Sequence, residues 1–202
     1  RAGRITALEL GLSADTQLAD RFPEFHRLSY LSNSDAHSLA KIGREHNALE
    51  LTEPSYGELV RAIRGEAGRR IACNYGLDPR LGKYHRSWCR SCGIIDEPRP
   101  YTRCPRCGSK NVVLGVWDRI AEAAPLEETA RVSGRPPYRA QVPLDLIPGI
   151  GPKRRDALIS RYGSELAALH SAPRDELVEI VGEAPAELIM VARNGRLRIR
   201  AG

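Results

Sequence analysis

Apolar positions change their spacing along the chain, and the changes divide it into regions of different texture. In residues 1–70 the run Leu28-Ser29-Tyr30-Leu31 reads as a short strand that ends in the polar string Ser32-Asn33-Ser34-Asp35-Ala36-His37. Leu59, Val60 and Ile63 then recur at helical spacing, with Pro54 at a first helical position and Gly65 or Gly68 as the stop. The alternation predicts an α/β region. Residues 71–118 are turn-rich, and residues 112–116 are predicted to form a closing strand. Residues 119–140 begin as a helix over 120–126 and become a Gly/Pro-containing connector ending in Arg135-Pro136-Pro137-Tyr138. From Gln141 to about Ala192 the pattern is helical with short Gly/Pro breaks. The last ten residues hold Arg193, Arg196, Arg198 and Arg200 and are expected as a basic tail or a short terminal strand. The expected divisions are therefore 1–70, 71–118, 119–140 and 141–202.

Composition refines this picture. With two Phe and two Trp in 202 residues, any core rests on aliphatic side chains. Several small cores, one stapled by metal, fit better than one large core. The chain starts at Arg1 and opens straight into an apolar segment, which reads as a piece of a longer polypeptide. No apolar run approaches the roughly 18 residues of a spanning helix, and no signal peptide is recognisable. A soluble, cytoplasmic protein without membrane contacts is expected. The formal charge is +6 and is unevenly placed. Residues 71–140 carry twelve basic against seven acidic side chains, whereas the flanking regions nearly balance. A polyanion would dock on that middle stretch first, although a merely solvated basic surface has the same signature.

Four of the five cysteines form the array Cys89-x2-Cys92-x11-Cys104-x2-Cys107. A two-residue spacer lets both thiolates of a pair face one ion, and Gly93 and Gly108 permit the sharp turn beyond each pair. Four thiolates close a tetrahedral site with no position for water, so a structural Zn²⁺ is expected here. Its binding would fold a segment poor in apolar residues. Cys73, the odd one, reads as a small buried side chain.

Asp35 and His37 follow the predicted strand. Two residues apart in an extended or loop segment, their side chains point the same way and can reach one metal cluster. Carboxylate plus imidazole suits Zn²⁺ or Mn²⁺ and water activation for phosphoester hydrolysis; solvated turn residues are the alternative. Further on, Ile147-Pro148-Gly149-Ile150-Gly151-Pro152-Lys153-Arg154 reads as the turn of a helix-hairpin-helix. There, free N–H groups at the start of the second helix bind a DNA phosphate. Gly149 and Gly151 allow close approach, Ile150 packs between helices, and Lys153 and Arg154 add attraction. The second helix should run to Tyr162 and stop at Gly163. A weaker copy surrounds Gly182-Glu183-Ala184, where Glu183 occupies the anion position, so packing support is expected of it.

The wider strings carry a resemblance. Tyr30-Leu-Ser-Asn-Ser-Asp-Ala-His-Ser38 with Lys41-Ile-Gly-Arg-Glu45 resembles the last metal-binding motif of the polymerase-and-histidinol-phosphatase (PHP) family. That family is a distorted (β/α) barrel with metals at the C-terminal ends of strands. The succession of this motif, Asn74-Tyr-Gly-Leu-Asp-Pro-Arg-Leu-Gly-Lys-Tyr-His85, the four cysteines, Arg135-Pro-Pro-Tyr138 and the hairpin resembles the endonuclease Q family over nearly the whole chain. The resemblance implies an α/β fold class with small domains. These are the C-terminal part of a PHP-type barrel, a four-cysteine zinc ribbon-like domain and an all-α helix-hairpin-helix domain.

Under that resemblance Asp35 and His37 are ligands of catalytic Zn²⁺, Mn²⁺ or Mg²⁺. The family's other ligands come from earlier motifs, since His26 and His46 match none, so the isolated piece should be inactive. The implied activity is nicking of damaged duplex DNA on the 5′ side of deaminated bases or abasic sites. Lys83, Tyr84 and His85 are candidate DNA contacts, and Tyr138 or Trp88 candidate stacking partners for a base. Two other classes fit parts of the pattern. One is a non-catalytic zinc and hairpin DNA-binding module, in which Asp35 and His37 are inert. The other is a PHP phosphoesterase acting on a small phosphorylated metabolite. A helicase-associated or scaffold role also accommodates the C-terminal half.

Overall fold

The computed structural model describes residues 5–82, 84–95, 102–124 and 132–199. The chain forms two compact units, the first extending to Arg139 and the second spanning Ala140–Ile199.

In the first unit, β1 (Ala7–Glu9) and β2 (Ser29–Leu31) pair in parallel, with the short helix α1 (Thr16–Ala19) in the crossover. Asp15 caps α1 by accepting the Leu18 N–H at 2.9 Å. Leu10, Ala19, Leu28 and Tyr30 form the small core expected of an aliphatic-rich chain, with Leu8, Phe25 and Tyr138 packed against it. A second sheet has the order β3 (His46–Glu50), β4 (Arg70–Leu77), β7 (Tyr138–Gln141). The β3–β4 pair is antiparallel, with a register shift between Ala48 and Leu49. Helix α2 (Tyr56–Arg64) connects β3 to β4.

Several boundaries differ from expectation for local reasons. Helix α2 begins after Ser55, whose hydroxyl accepts the Glu58 N–H, so Pro54 precedes the cap; Gly65, at φ +68°, provides the stop. The division expected at residue 70 falls on the first residue of β4, because Ile71 and Cys73 turn inward and the strand pairs with β3. The closing strand is only β6 (Val112–Val113), paired with β5 (Trp88–Cys89). Val116 instead starts helix α3 (Val116–Ala123), four residues earlier than the spacing predicted. The far end of the expected 120–126 helix lies outside the described residues. Tyr138 belongs to a strand rather than to a connector. No helix of the described residues is long and apolar enough to cross a membrane.

Polar groups also join these elements. Arg135 reaches back to Asp20, with Nη2 to Oδ1 at 2.7 Å, and donates to the Leu28 carbonyl at 2.6 Å. Its guanidinium lies 3.7 Å from the centre of the Tyr30 ring, while the Tyr30 hydroxyl donates to Asp20 at 2.8 Å. Both members of the ion pair are nearly inaccessible to solvent.

The second unit is helical: α4 (Pro152–Tyr162), α5 (Glu165–Ser171), α6 (Arg174–Val181) and α7 (Glu183–Arg193). Leu144, Ile147, Leu158, Leu177, Val181 and Ile189 form its interior. Helix α4 ends at Tyr162 with Gly163 in the left-handed region, as the sequence implied. The described residues after Asn194 form neither helix nor strand.

Removing one member of a buried, hydrogen-bonded ion pair strands the other charge. Arg135→Ala should therefore lower stability by about 3–5 kcal/mol, read as a fall in the urea midpoint. A shift within error would remove this pair from the account of the fold.

Candidate metal centres and nucleic-acid interface

The four cysteines come together through two equivalent turns. Cys89 N–H donates to the Ile94 carbonyl and Gly93 N–H to the Cys89 carbonyl; Cys104 with Ser109, and Gly108 with Cys104, repeat the pattern. Gly93 and Gly108 sit at φ +69° and +71°, where a Cβ would be strained. All four Sγ atoms lie within 4.8 Å of one another. The Cys89–Cys107 and Cys92–Cys104 separations are 3.7 and 3.6 Å. Zinc–sulfur bonds of about 2.3 Å at tetrahedral angles require an S···S edge of about 3.8 Å, so the donor set fits Zn²⁺ in both chemistry and size. Burial opposes ionisation of Cys89, but N–H groups of Cys92 and Ser91 and the neighbouring thiols outweigh it and bring its pKa down to about 6.

The ribbon is anchored by Asp118 of α3, which is fully buried. Its carboxylate accepts the Ser87 N–H at 2.5 Å and pairs with Arg86 Nε at 3.1 Å. Arg86 also stacks on Trp117, 4.6 Å from the ring centre. Between residues 84 and 95 and between 102 and 117 there is no acidic residue, while Arg90, Arg103, Arg106 and Lys110 are exposed. These cations more than offset the two negative charges of a zinc–tetrathiolate centre.

Asp35 and His37 lie in the loop after β2, at the C-terminal end of that strand. Asp35 Oδ2 and His37 Nε2 are 3.5 Å apart, with the side chains 72% and 86% exposed. They converge from a loop, one of the two conformations expected, with Asp35 at φ +42° where the chain turns. Neighbouring asparagines hold the loop's base. The Asn47 side chain accepts the Ser32 N–H and donates to the Ser32 carbonyl, both at 2.9 Å, as a neighbouring strand would. Fully buried Asn74 donates to the Tyr30 carbonyl and to Asn47 Oδ1, both at 2.8 Å. Neither the position of Asn47 nor a role for Asn74 was evident from sequence patterning. An amide inside an apolar strand is the signal that marks such positions. Carboxylate and imidazole suit a divalent metal and would supply two of its ligands. Among the described residues the cysteines are the group of three or more potential ligands within reach of one ion.

Glu45 closes the same loop. Its Oε1 accepts the Leu77 N–H at 2.5 Å, and its Oε2 has no hydrogen-bond partner among the described residues. Burial pushes its pKa up to about 7, the Leu77 N–H opposes this, and Glu9 adds to it.

The hairpin separates the roles of its two glycines. Gly149 has φ +86°, and a Cβ there would meet the Pro185 ring at 2.8 Å, so its bareness serves the fold. Gly151 has an ordinary φ of −84° and open space where a Cβ would stand. It caps α4 without a side-chain partner, and the first-turn N–H groups have no acceptor within the helix. Ile150 is buried between the elements, and Lys153 is exposed. Arg154 folds back onto the Gly149 carbonyl at 2.7 Å. In the second hairpin Gly182 also has φ +86°, and Glu183 pairs with Arg174 where an anion would bind.

Other candidate contacts divide. Lys83 lies outside the described residues. Tyr84 is 46% exposed, but His85 is only 7% exposed and faces the Ser13 carbonyl. Buried in this way, its ring is not presented for a surface contact. Tyr138 is withdrawn likewise: its hydroxyl donates to the Leu77 carbonyl at 2.8 Å, and its ring covers Gly76. Trp88 is half-buried within the ribbon.

Comparison with known proteins agrees with this arrangement. Residues 143–194 match the family model of the SAM-like helix-hairpin-helix tandem, and residues 15–67 match the PHP-associated model. The chain is 44% identical over 200 residues to YqxK of Bacillus subtilis, covering 98% of this chain and 50% of that protein. It is 37% identical over 216 residues to MJ0043 of Methanocaldococcus jannaschii, covering 96% of this chain and 27% of that one. Two solved structures superpose on it. One is the lesion-specific endonuclease PfuEndoQ of Pyrococcus furiosus, at TM-score 0.78 and 37% identity, covering 96% of this chain and 52% of that one. The other is Endonuclease Q in complex with a 27-mer duplex substrate carrying an abasic lesion at the active site. It superposes at TM-score 0.80 and 36% identity, covering 98% of this chain and 53% of that one. The chain thus spans about half the length of YqxK and of the two solved chains.

Cys104→Ser should abolish binding of a single zinc ion per chain, measured by elemental analysis after dialysis; retained stoichiometry would refute the four-thiolate site. Glu45 binds its proton more tightly folded than unfolded. Its contribution is present below its ordinary value of 4.5 and is lost as pH rises through about 7. Glu45→Gln should therefore gain stability relative to the wild type as pH is raised across that window. Parallel pH–stability profiles would show that Glu45 does not titrate there.

Proposed function

The chain belongs to the endonuclease Q family over nearly all of its length, and from this premise we propose that it serves metal-dependent incision of duplex DNA at a damaged nucleotide. The cut falls on the 5′ side of deaminated bases or abasic sites. The observation that carries the reading is the convergence of Asp35 and His37 to 3.5 Å at the C-terminal end of a parallel strand, in a chain that also holds a helix-hairpin-helix.

Asp35 and His37 would provide part of the ligand set of a catalytic Zn²⁺, Mn²⁺ or Mg²⁺. Such an ion supplies Lewis acidity toward the phosphate and lowers the pKa of water. The protein's own contribution is position: Asn47 and Asn74 hold the base of the loop, and exposure leaves both ligands open to a polymeric substrate. The four-thiolate zinc has no position for water and acts structurally. DNA is held by phosphate contacts in each unit. In the second unit the start of α4 offers N–H groups and Lys153. In the first, the ribbon presents Arg90, Arg103, Arg106 and Lys110. A small phosphorylated metabolite would leave both basic features without a role.

Second-sphere changes at metal sites cost 10–100-fold, so losing a ligand should cost at least about 100-fold. Asp35→Asn in the full polypeptide is expected to reduce nicking of abasic-site duplex by that factor without weakening duplex binding; equal nicking would sink the catalytic assignment. For the hairpin, Gly151→Val should leave the melting temperature unchanged while weakening duplex binding. Lys153→Ala should lower the salt dependence of log K by about 1 unit. Both readouts come from fluorescence anisotropy titrations in increasing salt, and an unaffected affinity in the Gly151 variant would refute the phosphate site.

A further inference from the structure

Two of the most exposed apolar side chains occupy one turn beside the Asp35–His37 pair: Leu39 is 87% exposed and Ile42 66%. Burying each would be worth roughly 1.5–3 kcal/mol, so their joint presentation at a site is a contact surface rather than incidental exposure. The turn is ordered by its own hydrogen bonds. Lys41 N–H donates to the Ser38 carbonyl at 3.0 Å, Ile42 N–H to Leu39 at 3.2 Å and Arg44 N–H to Lys41 at 3.3 Å. Gly43, at φ +76°, then turns the chain. Its carbonyl lies 3.1 Å from His46 Nδ1, and the His46 ring stacks on Tyr75 at 4.5 Å with 7° between planes. The turn is thereby fastened to the first residue of β3. Lys41 and Arg44 alternate with the apolar residues, and residues 36–44 contain no acid.

We propose that Leu39 and Ile42 form a wedge that enters the base stack of duplex DNA beside the nucleotide delivered to Asp35 and His37, with Lys41 and Arg44 on the flanking phosphates. The inference rests on the nuclease reading above. A phosphodiester next to a damaged nucleotide is reached by drawing that nucleotide out of the helix, which leaves a gap in the stack. An apolar side chain inserted there offsets the lost stacking and holds the duplex open. The interleaved cations favour this occupant over an apolar protein surface, because they meet phosphate charge on either side of the gap. His46 and Tyr75 are positioning residues: they keep the turn from folding away when the duplex is absent.

The test uses the full polypeptide and two oligonucleotides with the same abasic-site analogue, one duplex and one single-stranded, with 2-aminopurine opposite the lesion in the duplex. Wild type should raise 2-aminopurine emission on binding and nick both substrates. Leu39→Ala/Ile42→Ala should lose the emission rise and lower the ratio of duplex to single-strand nicking by about tenfold or more. Leu39→Met/Ile42→Met should restore both. An unchanged ratio with intact emission overturns the wedge. So does a drop in melting temperature with equal loss on both substrates, which would mean that the turn packs against protein. A wild type that nicks neither substrate overturns the nuclease reading, and the wedge falls with it.

Discussion

The ion pair between Arg135 and Asp20, closed over the ring of Tyr30, ties together parts of the first unit that are 115 residues apart in the chain. Tyr30 lies at its centre. The side chain is shared by Asp20 and Arg135, and the main-chain carbonyl accepts from Asn74, so β2 is gripped on several sides. The loop that leaves β2 carries Asp35 and His37. Because Asn47 holds the base of that loop like an extra strand, an exposed and turned segment still starts from a defined place. Both side chains are largely exposed, so their placement depends on this support from below.

A metal ion held by the four cysteines would do for the ribbon what apolar burial does elsewhere. Two short strands and two tight turns offer little to pack, and four cysteine sulfurs at tetrahedral spacing would supply the missing cohesion through one shared ion. The remaining link is again polar: buried Asp118 reaches the Ser87 N–H and Arg86, so α3 is joined to the ribbon by a carboxylate. Cys89 and Cys104 are buried, whereas Arg90, Arg103, Arg106 and Lys110 are on the outside.

The hairpin shows how one short motif divides its duties. Gly149 lacks a side chain because of backbone geometry and Pro185, whereas Gly151 has room for one within the protein. The second glycine stands at the N-cap of α4, where the missing side chain leaves the start of the helix open. In the sister hairpin an internal Glu183–Arg174 pair fills the equivalent region, which leaves that copy to brace the helices.

Local rules were sufficient for much of the molecule. Cysteine spacing specified the ribbon, because two-residue spacers and following glycines admit few conformations, and the Gly163 stop of α4 could be read from its dihedral freedom alone. The proximity of the Asp-x-His pair was also legible, and what the structure adds is the left-handed Asp35 at which the loop turns. What depended on distant partners was not legible. The inward turn of His85 and Tyr138, the extension of β4 across residue 70, and the joining of β2 to the second sheet by Asn47 and Asn74 all rest on contacts between residues far apart in sequence. A polar side chain carries no mark of whether water or a buried carbonyl will be its partner; only the packed chain makes that choice, by removing the water.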